Sequence, residues 1–328
     1  MSMSWRTSDF DYELPERLIA SKPLENRAES RMLVVDRASG TIEHRMFRDF
    51  PSYLSADDLL VLNDTKVIHS RVFSDDGKCE LVVVEEPAPR QWRCLVRPGK
   101  KFKVGRTVEV AGATGTVLEI DEDGNRIIEF DRQLDLEEVG SLALPHYMGR
   151  ESEEIDESRY QTVYAREKGA IAAPTAGLHF TPEILSQLNH GFLTLHVGVG
   201  TFRPVKADNI EDHHMHSERY RLTAETAQRI NDAKRTFAVG TTVTRVLETL
   251  GKTPGPLKEA AGETDIFIYP PFDFKVVDSL LTNFHLPQST LMMLVSAMAG
   301  RDLIMEAYQQ AVKEEYRFFS YGDCMLIL

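Results

Sequence analysis

The middle of the chain alternates apolar and polar residues with a period of two, which is typical of short antiparallel strands. Between about residues 72 and 130 this pattern recurs in five segments, with turn-forming residues at 111–113 and 121–125. The spacing of the segments is close to the ~8–12 residues that separate strands in antiparallel all-β domains. The predicted strands cover residues 79–84, 92–96, 107–110, 116–120 and 126–130. The pattern predicts a small antiparallel β-barrel.

The flanking parts of the chain show apolar strands that run into loops rich in Gly, Thr, His and Pro, and then into helices. Thr181 and Ser289 are well placed as helix N-caps, and residues 240–245 are expected to form one of the loops. Strands are predicted at 59–64, 192–197, 237–239 and 279–282, and helices at 182–190, 224–236, 289–299 and 302–315. This alternation indicates an α/β domain.

Residues 59–64 share this strand-to-loop character although they precede the barrel, so the barrel is interpreted as an insertion. The predicted fold class is α/β, with residues 1–70 and 151–328 forming a discontinuous α/β domain and residues 71–150 an inserted small antiparallel β-barrel. The acidic stretch 151–157 is expected to be an exposed connector. Ligands of parallel-sheet enzymes bind beyond the carboxyl ends of the strands, so the polar loops at those ends are the expected site.

The composition, 42% apolar and 27% charged, is that of a soluble globular protein. The first residues lack the pattern of a secretory signal, and no apolar run reaches the ~20 residues of a membrane span. We therefore expect a cytoplasmic protein without membrane contacts. We also expect a monomer, although the sequence alone does not decide the oligomeric state. Cys79, Cys94 and Cys324 have neither metal-ligand nor redox-pair spacing, so they are expected to be reduced, mostly buried and not catalytic.

The formal net charge of −13 argues against nonspecific nucleic-acid binding, because phosphate contacts need many Lys and Arg residues. Any RNA contact must therefore be local. Residues 97–106 are the one stretch that qualifies, since they include five basic residues and no acidic one. Arg97, Lys100, Lys101 and Lys103 are the candidate RNA contacts. The alternative interpretation, which the shortness of the run favours, is a solvated hairpin.

Seven uncommon strings of residues carry a resemblance to a known family. They lie at 9–15, 62–67, 172–181, 195–202, 213–218, 282–287 and 319–323. In this order they resemble the signature segments of the S-adenosylmethionine:tRNA ribosyltransferase-isomerase family, from residue 9 onward. The chain departs from the family pattern at residues 240–245, at Pro271 and in the shortness of residues 249–264. These departures leave Thr241, Thr242 and Arg245 in place and concern local loop shape.

The resemblance implies two domains, a discontinuous α/β domain and an inserted β-barrel, in agreement with the pattern above. It also implies the substrates, S-adenosylmethionine and a tRNA that carries 7-aminomethyl-7-deazaguanine (preQ1) at the wobble position. The ribosyl group moves onto the aminomethyl group, which gives epoxyqueuosine-tRNA and releases adenine and methionine. S-adenosylmethionine serves as the ribosyl-donor cosubstrate, and no metal is implied.

This reaction requires a base for the carbon beside the sulfonium, a donor for the departing adenine and dipoles that hold the ribose hydroxyls. His179, His214, His216, Glu218 and Asp64 are the catalytic candidates because they lie in matching loops and can titrate; which of them is the base stays open. His179 could instead only order its loop. The histidines of 213–216 could suggest a metal, but they lack the spaced ligands of zinc sites.

A second set of polar and glycine residues in the same loops is expected to bind S-adenosylmethionine and preQ1. Backbone N–H groups at strand ends and helix starts could approach the cosubstrate there, although tight turns would explain the glycines equally well. The set consists of Asn63, Thr175, Gly177, Gly198, Gly200, Thr201, Thr241, Thr242, Arg245, Asn283, His285 and Asp323.

Two alternative functions remain open from the residues alone. An S-adenosylmethionine-dependent methyltransferase would share the donor and the fold class, but the chain lacks a Gly-x-Gly-x-Gly loop after a first strand. A non-catalytic RNA-binding module would explain the barrel and its basic segment, but the acidic net charge and the large α/β part speak against it.

Overall fold

The computed structural model describes residues 5–198, 205 and 207–328, which form seventeen strands and seven α-helices. The strands are β1 (Arg31–Asp36), β2 (Thr41–Met46), β3 (Leu59–Asn63), β4 (Thr65–Val67), β5 (Arg71–Phe73), β6 (Glu80–Ala88), β7 (Gln91–Arg97), β8 (Thr107–Val110), β9 (Ala113–Ile120), β10 (Arg126–Phe130), β11 (Glu167–Ala170), β12 (His190–Leu195), β13 (Glu218–Leu222), β14 (Thr236–Val239), β15 (Ala260–Thr264), β16 (Ser279–Asn283) and β17 (Cys324–Ile327). The helices are α1 (Leu136–Val139), α2 (Glu154–Arg159), α3 (Pro182–Leu185), α4 (Ala224–Asp232), α5 (Thr241–Gly251), α6 (Thr290–Ala299) and α7 (Arg301–Lys313).

A mixed nine-stranded sheet forms the centre of the molecule, in the order β15-β13-β12-β3-β14-β16-β17-β1-β2. Strands β12, β3, β14 and β16 are parallel to one another, and every residue of β3, β14 and β16 is buried. Successive side chains of a strand point to opposite faces. Leu59 and Val61 accordingly pack into one apolar core with α5 to α7, whereas Leu60 and Leu62 pack into a second core with Phe47 and Phe180. Both faces of the sheet are covered, as its continuous apolar strands require.

The five predicted barrel strands are all present, and together with β5 they form a six-stranded antiparallel sheet in the order β5-β6-β7-β10-β9-β8. Trp92 and Phe130 pack in its buried core with ring centroids 4.6 Å apart. In the described part of the chain β5 and β8 do not pair as strands, although the N–H of Asp75 donates to the carbonyl of Glu109 at 2.9 Å. The sheet is therefore a curled half-barrel. The α/β class is confirmed by the mixed sheet and its helices.

Several predicted boundaries were wrong, each for a tertiary reason. The helix predicted at 182–190 ends at Leu185, because His190 already belongs to β12 and pairs with Leu60. The helix predicted at 224–236 ends at Asp232, since Thr236 enters β14 beside Leu59. The helix predicted at 302–315 ends two residues early, and residues 241–245 belong to α5 instead of a loop.

The acidic stretch 151–157, which was expected to be an exposed connector, contains one fully buried residue. Asp156 lies in α2 with 0% of its surface accessible, because Arg150 forms two hydrogen bonds with its carboxylate and Tyr321 donates a third at 2.6 Å. Other predictions are confirmed: Thr181 and Ser289 cap α3 and α6, and all three cysteines are free and buried. No described helix is long and apolar enough to cross a membrane.

Candidate active site

The large sheet brings the polar ends of seven strands to one edge. The parallel strands β12, β3, β14 and β16 end there. Strand β13 is antiparallel to β12, and β17 is antiparallel to β16, so both begin there, as does β1, which is parallel to β17. We call this the polar edge, and it comprises Ser30, Asn63, Asp64, His196, Glu218, Gly240, Asn283 and Asp323. The predicted gathering of polar residues beyond the carboxyl ends of strands is therefore present, but three of the seven strands contribute their beginnings.

His179 is buried at the polar edge, with only 4% of its surface exposed. Its Nδ1 lies 2.7 Å from Oγ of Ser30, and its Nε2 lies 3.1 Å from Oδ1 of Asn283. The Asn283 amide nitrogen donates to the carbonyls of Phe319 and Ser320, which turns Oδ1 toward the imidazole. Nε2 must therefore carry the proton. Burial lowers the pKa of His179 to about 4, so the ring is neutral at pH 7.

Asn63 ends β3 and Asp64 follows it, and the two side chains have different contacts. The Asn63 amide exchanges two hydrogen bonds with the backbone of Leu195, at 2.8 and 3.0 Å, and so joins β3 to β12. Asp64 is 2% exposed, and its carboxylate lies 2.6 Å from Nε of Arg166 and accepts a 2.6 Å bond from the Thr194 hydroxyl. Asp64 is thus a fixed, ion-paired carboxylate, while the Asn63 side chain serves the sheet.

His196 was not among the predicted site residues, although it lies in the matching string 195–202. Its Nδ1 is 2.8 Å from Oγ1 of Thr65, and its pKa is lowered by burial while Asp64 acts in the opposite direction. A Cβ atom on Gly169 would come within 2.9 Å of the ring, so the glycine lets β11 approach the imidazole. The sequence did contain a signal for His196, because the string 195–202 resembles a segment of the family.

Glu218 and Arg245 form a buried ion pair where β13 begins. The Arg245 guanidinium also donates to the carbonyls of Ile266 and Thr264, at 3.2 and 3.3 Å, and Glu218 accepts a 3.3 Å bond from the N–H of Gly198. Arg245 therefore holds Glu218 in place, and Glu218 in turn holds the backbone of Gly198.

His214 and His216 are exposed, whereas His213 is half-buried with its ring centroid 5.4 Å from that of Phe267. Burial, followed by the neighbouring imidazoles, lowers the pKa of His213. No group of three His, Cys, Asp or Glu side chains suited to a metal ion occurs in the described ranges. Two predicted substrate-binding residues, Gly200 and Thr201, lie outside the described residues.

The predicted residues of α5 lie directly behind the polar edge. Gly240 has φ +90°, which favours glycine, and it begins α5 without a side-chain cap. Thr241 is buried and Thr242 half-buried. Among the described residues no side chain caps the first N–H groups of the helix, at the end of β14, which leaves these groups able to approach a ligand.

Four more predicted residues have mainly structural contacts or partial exposure. Thr175 is half-buried, and a Cβ atom on the adjacent Gly177 would overlap the Tyr164 hydroxyl, so Gly177 is required by packing. Burial lowers the pKa of His285 to about 3, and its Nε2 lies 3.0 Å from Oγ1 of Thr282. Asp323 accepts two backbone N–H bonds at 2.8 Å, and burial raises its pKa.

The predicted RNA contacts form an exposed loop on the half-barrel. Arg97, Lys100, Lys101 and Lys103 are all exposed, while Phe102 between them is only 2% exposed and anchors the loop in the core. Across the described part of the chain, none of these four cations has a carboxylate within ion-pairing distance, namely 4.0 Å. Their charge is thus available to an anionic partner.

Comparisons with known proteins identify the family of this chain. Residues 7–327 match a family model described as queuosine biosynthesis protein. The S-adenosylmethionine:tRNA ribosyltransferase-isomerases of Halothermothrix orenii and Natranaerobius thermophilus are 48% and 50% identical, over 98% of this chain and 100% and 99% of theirs. The crystal structure of S-adenosylmethionine tRNA ribosyltransferase from Thermotoga maritima is 40% identical, with a TM-score of 0.57 over 98% of this chain and 100% of that one. The chain therefore belongs to the family of queuosine biosynthesis proteins that includes the S-adenosylmethionine:tRNA ribosyltransferase-isomerases.

Proposed function

We propose that this protein is an enzyme that transfers and isomerises the ribosyl group of S-adenosylmethionine onto preQ1 at the tRNA wobble position. The product is epoxyqueuosine-tRNA, and adenine and methionine are released. The observation that carries the proposal is the identity of 48% and 50% to two named S-adenosylmethionine:tRNA ribosyltransferase-isomerases over nearly the whole of both chains. The polar edge supports it, because buried carboxylates and imidazoles there are fixed by specific partners.

In the proposed reaction a base removes a proton from the ribosyl carbon beside the sulfonium, and adenine departs. The amine of preQ1 then attacks, and closure of the epoxide expels methionine. Asp64 and Glu218, each held by an arginine, provide two fixed carboxylates, and His179 provides a neutral imidazole. The N–H groups at the start of α5 are placed to bind oxygen atoms. We propose that no metal takes part.

The proposal includes a division of labour between two domains. Residues 1–70 and 151–328 form the α/β catalytic domain, and residues 71–150 form the inserted β domain. Arg97, Lys100, Lys101 and Lys103 are proposed to contact tRNA phosphates, since they are exposed and have no carboxylate partners in the described residues. The exposed His214 and His216 would then act on substrate that covers them. The proposal places the enzyme in the cytoplasm as a monomer.

Labelled cosubstrate tests the reaction directly. With purified protein and preQ1-tRNA, label from the ribose of S-adenosylmethionine should enter the tRNA, and label from its methyl group should not. Adenine should be released only when the tRNA carries preQ1. Methyl label in the tRNA would establish a methyltransferase instead, and tRNA binding without adenine release would establish a non-catalytic module.

The base can be identified by hydrogen exchange. In D₂O, the carbon beside the sulfonium should acquire deuterium when preQ1-tRNA is present, because the base exchanges its proton with solvent. We compare four variants at the same degree of saturation with both substrates: Asp64→Asn, Glu218→Gln, His216→Asn and His179→Gln. The base variant should lose the exchange, whereas a variant that only binds substrate should retain it once substrate is raised.

A further inference from the structure

A second feature lies beside His179, which forms part of its lining. It is a narrow, open cleft with a cavity volume of about 20 Å³, room for about one water molecule or one oxygen atom. Its polar lining consists of Arg27, Arg159, Ser30, His179, Ser320 and Tyr321. We call it the arginine cleft. A third arginine, Arg317, is close enough to help lower the His179 pKa.

The three guanidinium groups have donors to spare. Nε of Arg159 and Nη1 of Arg317 are buried, and neither has a hydrogen-bond partner among the residues that the structure describes. The bonds that these arginines do make go to neutral backbone carbonyls: Arg27 to Leu178 and Ser158, and Arg159 to Glu25. A buried donor without an acceptor costs free energy, on the order of 1–3 kcal/mol. These donors therefore favour an additional acceptor.

In the described part of the chain the arginines of the cleft have no direct ion-pair partner, although the charge of Asp323 acts on Arg317 and raises its pKa against the larger, lowering effect of burial. Within the described ranges no carboxylate lies within 4.0 Å of Arg27, Arg159 or Arg317, in contrast to Arg150, which is 2.6 Å from Asp156. Burial, and then the charge of Arg159, lowers the pKa of Arg27 to about 10, and burial also lowers those of the other two. All three remain protonated at neutral pH, so the cleft attracts an anion.

We propose that the arginine cleft binds a non-bridging oxygen of one tRNA phosphate and so positions the wobble nucleotide at the polar edge. This inference rests on the proposed function, because it takes tRNA as the substrate. Guanidinium groups recognise phosphate oxygens through paired N–H donors, and such contacts fix the register of a nucleic acid.

Charge favours a phosphate over the carboxylate of S-adenosylmethionine. That cosubstrate also carries an ammonium and a sulfonium, so its net charge is positive and three arginines would repel it. A phosphodiester carries one negative charge without a compensating cation. One of its two non-bridging oxygens would fill the small volume of the cleft.

The test uses Arg159→Gln and Arg159→Lys in the full-length protein, with binding of preQ1-free tRNA measured over a salt series. Arg159→Gln should weaken tRNA binding about tenfold or more and reduce the salt slope by roughly 0.7–0.9. Arg159→Lys should retain the slope but bind more weakly, since a lysine lacks the guanidinium fork. The matched control is Arg17→Gln, an exposed arginine paired with Glu315, which removes the same charge elsewhere and should leave binding unchanged.

The apparent affinity for S-adenosylmethionine and the unfolding midpoint are measured on the same samples. A raised KM for S-adenosylmethionine with unchanged tRNA binding would overturn the proposal in favour of a carboxylate site. An unchanged salt slope in a folded Arg159→Gln variant would also overturn it. Because tRNA binding is measured without turnover, these outcomes are distinct from a wild-type protein that fails to transfer ribose, which would refute the proposed function.

Discussion

Asn283 and His179 fix each other in a single orientation, with Oδ1 of the amide 3.1 Å from Nε2 of the imidazole. The amide nitrogen simultaneously donates to two carbonyls from the segment before β17. One asparagine thus sets the tautomer of the imidazole and ties two chain segments together.

Asn283→Asp should therefore reduce the free energy of unfolding by about 2–3 kcal/mol at pH 7, because a carboxylate cannot donate to those carbonyls. Urea unfolding at pH 7 measures the effect. At lower pH the deficit should shrink as the new carboxyl group becomes protonated. A variant as stable as wild type at pH 7 would show that the paired carbonyls contribute nothing.

His179 and His285 should make the protein sensitive to acid. Burial lowers their pKa values to about 4 and about 3, so both are neutral in the folded state and take up protons on unfolding below pH 6.5. Each group's contribution is complete above pH 6.5 and is lost as the pH falls toward its folded pKa. Between pH 7 and pH 5 each should account for a loss of about 2 kcal/mol.

The comparison of wild type with His285→Gln checks this. The variant should lose less stability than wild type between pH 7 and pH 5, by about 2 kcal/mol. Equal losses would mean that His285 is protonated in the folded protein.

Gly177 packs against the Tyr164 hydroxyl, so Gly177→Ala should destabilise the protein by about 1–3 kcal/mol through overlap. Tyr164→Phe removes that oxygen, which is buried and has no hydrogen-bond partner in the described residues. We therefore expect the double variant to recover much of the loss, and Tyr164→Phe alone to cost little. Thermal unfolding of the four proteins gives the coupling energy, and strict additivity would contradict the packing account.

Glu218→Gln should lower both turnover and stability, whereas His216→Asn should lower turnover alone. The reason is that Glu218 is buried against Arg245, so its removal leaves a guanidinium without its carboxylate, at a cost of about 3–5 kcal/mol. The exposed His216 has no such burial cost. A turnover loss on the order of 10² is expected if either group acts in proton transfer.

Stability and rate must be read together for these two variants. Glu218→Gln/Arg245→Met should regain part of the lost stability, because it also removes the unpaired charge. It should not regain turnover.

Dialysis against a chelator should leave wild-type activity intact. If dialysis abolishes the activity and added zinc restores it, the proposal of a metal-free site is refuted.

The basic loop should determine part of the salt dependence of tRNA binding. Replacing Lys100, Lys101 and Lys103 with Gln should lower the salt slope by roughly 2–3 if each contacts a phosphate. Lys252, Lys258 and Lys313 are also exposed, so their triple replacement is a control with the same net charge. An unchanged slope in the loop variant would identify the loop as a solvated surface.

Local pattern predicted the half-barrel well because that sheet has one buried and one open face. The strands at 107–110 and 126–130 have the predicted limits, since alternation marks each residue's face. The ends of α3 and α4 were missed because pairing with β3 draws His190 and Thr236 into strands. Helix propensity contains no information about such partners.

The sequence predicted which loops contain the site residues, but it did not predict which side chains contact one another. The polar residues after β3 and β16 do share one edge, as strand order requires. The pairing of His179 with Ser30, or of Glu218 with Arg245, depends on how distant segments pack. Ser30 lies in none of the matching strings, so no local signal could have identified it.

The position of β17 between β16 and β1 has a consequence for protein synthesis. Met32 pairs with Cys324, so β1 and β2 cannot join the sheet until the ribosome has synthesised β17, almost three hundred residues after β1. Until then Ser30 has no fixed place beside His179, and the apolar face of β1 remains without its partner. Nascent chains should therefore be inactive and dependent on protection from aggregation during translation, even though the half-barrel strands have already been made.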